Sequence, residues 1–148
     1  MAGMTAAHNA VRDALVGEGL PQLTWSDTLA DVAQAFAELL AADGCAFYHS
    51  GGDYGENLAM FGGQDATAQQ VVDLWESEQP CYTYGRFMMG DVCTDNCDAD
   101  GQCGHYTQLV WRATLQVGCG VADCSGGFWE IWVCNYSPAG NVVGQYPY

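Results

Sequence analysis

Two of the three histidines stand where the chain can make tight turns and their side chains can reach a cleft. His49 precedes a glycine-rich run, and His105 directly follows a glycine. Glycine tolerates backbone conformations that other residues avoid, so such segments often line binding sites. The carboxylates that could join these imidazoles are Glu56, Glu76 and Glu78. The residue types therefore indicate a possible histidine–carboxylate site.

Such a set could perform three different roles. Neutral imidazoles and carboxylates are ligands for a divalent ion such as zinc. Because histidine titrates near neutral pH, the same residues could also act as a general acid and base. The third interpretation is structural, with each histidine hydrogen-bonded to a buried carboxylate. Spacing along the chain alone does not choose among them.

No nucleophile accompanies the histidines in the sequence. Ser50 follows His49 directly, and adjacent residues of a strand point to opposite faces. The chain has no Gly-x-Ser-x-Gly elbow, no HExxH helix and no glycine-rich phosphate loop. The residues therefore point to no nucleophile, and a metal-dependent hydrolase or protease is kept as an alternative to a binding role.

The cysteine content indicates an oxidising compartment. Eight cysteines in 148 residues predict disulfides, and no Cys-x-x-Cys pair suggests a zinc ribbon. Eight cysteines allow on the order of a hundred pairings, so their spacing does not fix the connectivity. The cysteines are Cys45, Cys81, Cys93, Cys97, Cys103, Cys119, Cys124 and Cys134.

The charge and hydropathy exclude several classes of function. The net charge is −15, with three arginines and no lysine, so the chain should repel nucleic acids and anionic membranes. No apolar run approaches the roughly 18 residues of a transmembrane segment. The first residues lack the pattern of a signal peptide, so we interpret the chain as a mature, monomeric form of an extracellular protein.

Periodicity predicts three helices, over residues 5–16, 26–42 and 67–78. Thr5 and Ser26 are expected to cap the first two, and Pro80 should end the third. Strands are predicted over residues 106–113, 116–122 and 128–135, whereas the glycine-rich residues 51–63 are expected to be mostly loop. Helices that precede a strand meander favour a sheet packed by helices, in one α+β domain spanning residues 1–148.

Four sequence stretches resemble signatures of the CAP superfamily of cysteine-rich secretory, antigen 5 and pathogenesis-related proteins. The longest are GHYTQLVWRAT at residues 104–114 and IWVCNYSPAGNV at residues 131–142. The shorter ones are GENLA at residues 55–59 and His8-Asn9 with Arg12. All four occur in family order and together span nearly the whole chain. Within the superfamily, the chain most resembles the plant group 1 pathogenesis-related proteins.

The resemblance implies a three-layer α/β/α sandwich around a mostly antiparallel sheet. It also implies a cleft that can bind zinc or a similar ion in some family members. Glu78 is selected over Glu76 because the family's acid stands three residues after a helix tryptophan, here Trp75. Residues three apart share a helix face, which agrees with that choice. The implied cleft residues are His49, Glu56, Glu78 and His105.

The resemblance also implies a disulfide pattern. Cys119 would pair with Cys134, Cys45 with Cys124, and Cys97 with Cys103. Cys81 and Cys93 remain as an additional pair that would stiffen the segment after the third helix.

Some family members bind sterols near a loop between the third helix and the GHYTQ segment. The corresponding residues here are Tyr82, Tyr84, Phe87, Met88 and Met89, and an apolar, methionine-rich loop could cover a flat hydrophobic ligand. The family's sterol-linked pattern has a further aromatic near the place where this chain has Met89. The leading prediction is a lipid- or sterol-binding module, with an effector or defence module that acts on a protein receptor as the alternative.

Overall fold

The computed structural model describes residues 1–63, 65–90, 92–93 and 102–148. It contains four α-helices, four strands and a short 3-10 helix within those residues. In chain order they are α1 (Met4–Ala14), β1 (Thr24–Trp25), α2 (Asp27–Ala42), β2 (Gly55–Gly62), α3 (Ala68–Glu76), the 3-10 helix (Gln79–Cys81), α4 (Gly104–Leu109), β3 (Gln116–Asp123) and β4 (Trp129–Ser137). Among the described residues, no helix has both the length and the hydropathy needed to cross a membrane.

The predicted α+β sandwich is confirmed. The sheet has the order β1-β3-β4-β2, in which β4 pairs antiparallel with β2 and β3, and β1 pairs parallel with β3. One face of the sheet packs against α2 through a core that includes Leu40, Leu58 and Ile131. The opposite face packs against α1, α3 and α4 through a larger core around Trp75 and Tyr136.

One of the two predicted helix caps is confirmed, and a third cap was not predicted. The Ser26 side chain accepts a hydrogen bond from the N–H of Leu29 and caps α2. Thr67 and Gln70 form a reciprocal capping box at the start of α3. The predicted Thr5 cap is wrong, because α1 begins earlier, after Gly3, whose φ of 90° a glycine adopts readily.

Two strand assignments are corrected. Residues 51–63 are not mostly loop, because Gly55–Gly62 forms β2, whose eight residues pair in register with β4. Residues 106–113 are not a strand, because Gly104–Leu109 forms α4. Tyr106, Leu109 and Val110 also fit the helical period, and all three are buried in the larger core. Alternation alone could not distinguish the two periods in so short a segment.

Close packing of α2 on the sheet depends on two glycines of β3. A Cβ atom at Gly118 or Gly120 would collide with the backbone of α2, near Ala30 and Gln34 respectively. Glycine at these alternate positions therefore lets the helix backbone lie directly on the strand.

The disulfides agree with half of the expected pattern. Cys45 is bonded to Cys124, and Cys119 is bonded to Cys134 across β3 and β4. Cys93 is bonded to Cys103, with 5.4 Å between their Cα atoms.

The Cys93–Cys103 bond shows that the expected Cys81–Cys93 and Cys97–Cys103 pairings are wrong. Cys93 lies opposite Tyr82 in an isolated β-bridge. Its disulfide partner, Cys103, is the residue directly before α4. Which cysteine pairs with Cys93 depends on their distance in space, and the spacing of the cysteines along the chain does not reveal that distance. Cys81 is buried and disulfide-bonded, and Cys97 lies outside the described residues.

Candidate functional site

The first histidine–carboxylate pair joins the loop after α2 to the start of β2. Nδ1 of His49 lies 2.8 Å from Oε1 of Glu56, and the N–H of Ser50 donates to the same oxygen at 2.9 Å. The His49 side chain is 63% exposed, whereas that of Glu56 is only 6% exposed. This pair therefore combines an open imidazole with a buried carboxylate.

The contact between His49 and Glu56 shifts the pKa of both residues. The hydrogen bond to Glu56 raises the pKa of His49 against the opposing effect of partial burial. For Glu56, burial acts to raise the pKa, but the hydrogen bonds from His49 and Ser50 outweigh it, and the net pKa is lowered. Both shifts favour the charged forms, so the contact is an ion pair when His49 is protonated.

The second pair joins the end of α3 to the beginning of α4. Oε1 of Glu78 lies 2.6 Å from Nδ1 of His105. Its other oxygen, Oε2, accepts from the N–H of His105 at 2.8 Å and from the N–H of Tyr106 at 3.2 Å. Glu78 thus satisfies two backbone donors at the start of α4 and orients the imidazole at the same time.

These contacts fix the tautomer of each neutral histidine. An ionised carboxylate can only accept hydrogen bonds, so Nδ1 carries the proton in both His49 and His105. Nε2 is then the nitrogen with a free lone pair. A carboxylate that accepts from one imidazole nitrogen is the usual support for a histidine that binds a metal or accepts a proton through the other.

A polar cavity of about 240 Å³ contains three of the four expected cleft residues. His49, Glu56 and His105 line it, together with Phe87 and Asn141. Glu78 is not part of this lining and contacts His105 instead. The structure therefore brings the two pairs to one region but does not present all four side chains to one cavity.

Glu56 contains an unsatisfied atom beside this cavity. Its Oε2 is buried and has no hydrogen-bond partner among the described residues, whereas both oxygens of Glu78 are paired. An unpaired buried carboxylate oxygen is costly, so it favours a bound cation, donor or water. However, no three His, Cys, Asp or Glu side chains in the described part of the chain are grouped closely enough to hold a metal ion.

An apolar groove of about 580 Å³ adjoins the second pair. Its polar lining comes from Ser77, Glu78 and His105, so His105 lines both the groove and the polar cavity. Its apolar lining comes from Phe47, Leu58, Ala59, Met60, Leu74 and Trp75. Phe47 and Leu74 are 55% and 46% exposed, so part of the apolar lining is in contact with solvent.

Sequence reasoning missed the apolar side of this site. Leu58 and Met60 lie in the segment interpreted as loop, so their places on a strand edge were hidden. Leu74 could have been noticed, because it lies on α3 outside the fully buried stripe of Val71, Val72 and Trp75.

The first two residues of the expected sterol loop pack against the C-terminus. The Tyr82 ring contacts that of Tyr148, and the Tyr84 ring stacks on that of Tyr146 at a centroid distance of 5.3 Å. The Tyr84 hydroxyl also donates to the Tyr148 carbonyl at 2.6 Å. These side chains therefore belong to an aromatic cluster with the tail.

The other three residues of that loop differ in exposure. Phe87 packs edge-on against Trp111 and lines the polar cavity. Met88 and Met89 are 70% and 54% exposed. Lipid binding by Tyr82, Tyr84, Phe87, Met88 and Met89 together stays a prediction.

The third histidine is a structural anchor. His8 is fully buried, donates from Nδ1 to the Met4 carbonyl and accepts from the Tyr136 hydroxyl at 2.9 Å. Burial lowers its pKa to about 4, so it is neutral in the folded protein. Arg12, one turn later, donates to carbonyls of the adjoining segments. They belong to Pro21, Leu109, Trp111 and Thr114.

Known proteins match this chain over nearly its whole length. The family model described as the cysteine-rich secretory protein family matches residues 5–136. Pathogenesis-related leaf protein 4 of Solanum lycopersicum is 45% identical over 143 residues, covering 97% of this chain and 80% of that protein. Pathogenesis-related protein 1C of Nicotiana tabacum is 44% identical, covering 96% of this chain and 77% of its own length.

Solved structures share the same architecture. BmVAL-1 superposes with a TM-score of 0.79 at 26% identity, covering 98% of this chain and 79% of its own. The structure of NaASP2 with Zn²⁺ gives the same TM-score and identity, covering 98% of this chain and 82% of its own.

Proposed function

Because the chain belongs to the cysteine-rich secretory protein family, we propose that it is an extracellular module that binds a largely apolar ligand without transforming it. The names of the relatives, pathogenesis-related proteins, support a role in defence outside the cell. Three disulfides among the described residues suit an oxidising compartment. The two cores share one sheet, which supports a single domain over residues 1–148.

The observation that carries this proposal is the apolar groove beside His105. Its volume of about 580 Å³ lies within the range of small-molecule sites, roughly 300–1,000 Å³. Apolar side chains form most of its lining, and Glu78 and His105 supply polar groups that could orient a ligand. A lipid or sterol-like molecule suits such walls, and so does an apolar segment of a protein receptor.

Fluorescent probes test the groove directly. We expect Nile red, a neutral apolar dye, and dehydroergosterol, a fluorescent sterol, to bind the wild-type protein. Leu74→Glu places a charge in the groove and should weaken binding about tenfold or more. The matched control is Leu39→Glu, an equally exposed leucine on α2, which should bind within about twofold of wild type. Equal binding by both variants would exclude the groove as the site.

A divalent ion is a second candidate ligand, favoured by the unpaired Oε2 of Glu56. His49, His105 and Glu56 line one cavity, and their donor atoms are of the kind that zinc prefers. The donor set fits in chemistry but not in spacing, since these side chains are not grouped closely enough as they stand. The zinc present in NaASP2 supports the idea for that protein. A bound ion would supply Lewis acidity, on which the hydrolase alternative depends.

Calorimetric titration of metal-free protein with zinc checks this second candidate. We expect one-to-one binding that disappears in the His49→Ala, His105→Ala double variant. His8→Gln is a control for histidine content, because His8 is fully buried and both of its ring nitrogens are hydrogen-bonded. Its folding should be verified first by thermal unfolding. Absence of binding to the wild-type protein would leave the two pairs with a structural role.

A further inference from the structure

Strand β2 is an edge strand of the sheet in the described part of the chain. It is eight residues long and lies at the end of the order β1-β3-β4-β2. Edge strands are usually protected by proline, by lysine, by inward charges or by short length. The sequence GENLAMFG contains neither proline nor lysine, and Glu56 supplies its one charge. This edge therefore lacks most of the sequence features that prevent another strand from pairing with it, although α3 covers part of it.

The ladder with β4 determines which backbone groups of β2 face outward. The N–H of Gly63 donates to the Phe128 carbonyl, so Gly63 faces β4, and by alternation Phe61 and Ala59 also face it. The intervening Leu58, Met60 and Gly62 consequently turn their N–H and C=O groups away from the sheet.

A side-chain contact at the edge agrees with this alternation. Nε1 of Trp75 donates to the outward carbonyl of Leu58 at 2.9 Å. No described residue pairs with the N–H or the C=O of Met60. The edge thus has backbone donors and acceptors that remain available.

The apolar groove follows this same edge. Leu58, Ala59 and Met60 line it from β2, and Leu74 and Trp75 line it from α3. An alkyl chain or sterol in the groove would cover the outward backbone groups without pairing them, at a cost in free energy. An extended peptide would pair with them and still present side chains to the apolar walls.

We propose that the groove receives an extended peptide segment of a partner protein, which adds to β2 as a fifth strand. This assignment rests on the proposed function, since it names the ligand of the same groove. The peptide should carry basic as well as apolar residues, because Glu78 lies in the groove wall and the chain has a net charge of −15. Two copies of so acidic a chain would repel each other, which disfavours self-pairing.

The probe is a fluorescein-labelled octapeptide of alternating valine and arginine, capped at both ends. Its matched control has N-methyl groups on alternate residues, which remove the N–H donors of one edge but keep charge and side chains. We expect fluorescence anisotropy to report saturable binding of the parent peptide and binding about tenfold or more weaker for the methylated one. This comparison uses the wild-type protein, so it does not depend on the folding of a variant.

Met60→Pro tests the edge from the protein's side. Proline removes an outward N–H that the ladder with β4 does not use, and edge strands tolerate proline there. We expect peptide binding to be about tenfold weaker in Met60→Pro than in Met60→Leu, which keeps the donor. Thermal unfolding of both variants verifies the fold.

The outcomes separate this inference from the proposed function. Equal binding of the parent and methylated peptides would mean that charge or apolar contact, rather than strand pairing, is responsible, and would overturn the inference. Binding of Nile red or dehydroergosterol without any peptide binding would also overturn it while leaving the proposed function intact. If neither dye, sterol nor peptide binds, both fail.

Discussion

The two histidine–glutamate pairs share one contact but differ in completeness. In each pair, Nδ1 of the histidine meets a carboxylate whose side chain is less than a tenth exposed. Glu78 accepts three hydrogen bonds with both oxygens and connects α3 to α4. Glu56 accepts two with one oxygen and leaves the other unpaired. Similar residue types therefore produce one satisfied junction and one unsatisfied site.

This difference indicates that one pair mainly stabilises the fold, whereas the other can gain a contact when a ligand binds. A saturated carboxylate such as Glu78 has no reason to rearrange, so its main contribution is to hold His105 and α4 in place. The unpaired oxygen of Glu56 retains a cost that a ligand could remove, and its partner His49 is mostly exposed. We infer that Glu78 positions the site and that Glu56 is the group that responds to a ligand.

Removal of Glu78 should produce the largest effect. Glu78→Ala leaves Nδ1 of His105 and two backbone N–H groups without their acceptor, so we expect a loss of about 2–4 kcal/mol in the free energy of unfolding. Chemical denaturation with disulfides intact measures it. The control is Glu76→Ala, two residues earlier, whose carboxylate accepts none of these bonds and should change stability by less than about 0.5 kcal/mol. Equal losses in both variants would contradict the positioning role.

Removal of Glu56 should have a smaller effect. Glu56→Ala eliminates two hydrogen bonds, but it also eliminates the unpaired oxygen, and the exposed His49 and Ser50 can bond to water instead. We expect a loss of about 1 kcal/mol or less in the same denaturation experiment. A loss as large as that of Glu78→Ala would mean that the two pairs are equivalent and would end the distinction drawn between them.

Much of the fold was predictable because its signals are local or belong to long motifs. Ser26 and the apolar stripe after it indicated α2 within one residue of its observed start. β2 was missed because its glycines at both ends resemble a loop, and its partners on β4 lie between 67 (Gly62 with Trp129) and 81 (Gly55 with Tyr136) positions further along the chain. The partner of Cys93 was missed for a different reason, because Cys103 is only 10 positions away but other cysteines lie similarly close along the chain and only spatial proximity decides among them.

The polar half of the site was also more predictable than the apolar half. Histidine and glutamate are rare enough beside glycine turns to attract attention, and motif spacing selected Glu78. The groove required knowledge that β2 is an edge strand, because only then do Leu58 and Met60 lie opposite Leu74. No property of those three residues taken singly distinguishes them from ordinary core residues.

The smallest expected effect is the pH dependence of the His49–Glu56 pair. The pKa of His49 is raised above 6.5, so its contribution to stability is complete below that pH and is lost as pH rises through the folded-state pKa. The pKa of Glu56 is lowered below 4.5, so its contribution is present above that pH and is lost as pH falls through the folded-state pKa. The pair therefore stabilises the fold most between pH 4.5 and 6.5.

The measurement is the difference in unfolding free energy between wild type and Glu56→Gln across that range. We expect a difference of a few tenths of a kcal/mol that is largest near pH 5.5 and declines towards pH 8, because an ion pair with so exposed a histidine is strongly screened. An NMR titration of the His49 ring should give a midpoint above 6.5 that moves down in Glu56→Gln. An unchanged midpoint would show that Glu56 does not stabilise the imidazolium, and the pair would then not be the source of the pH dependence.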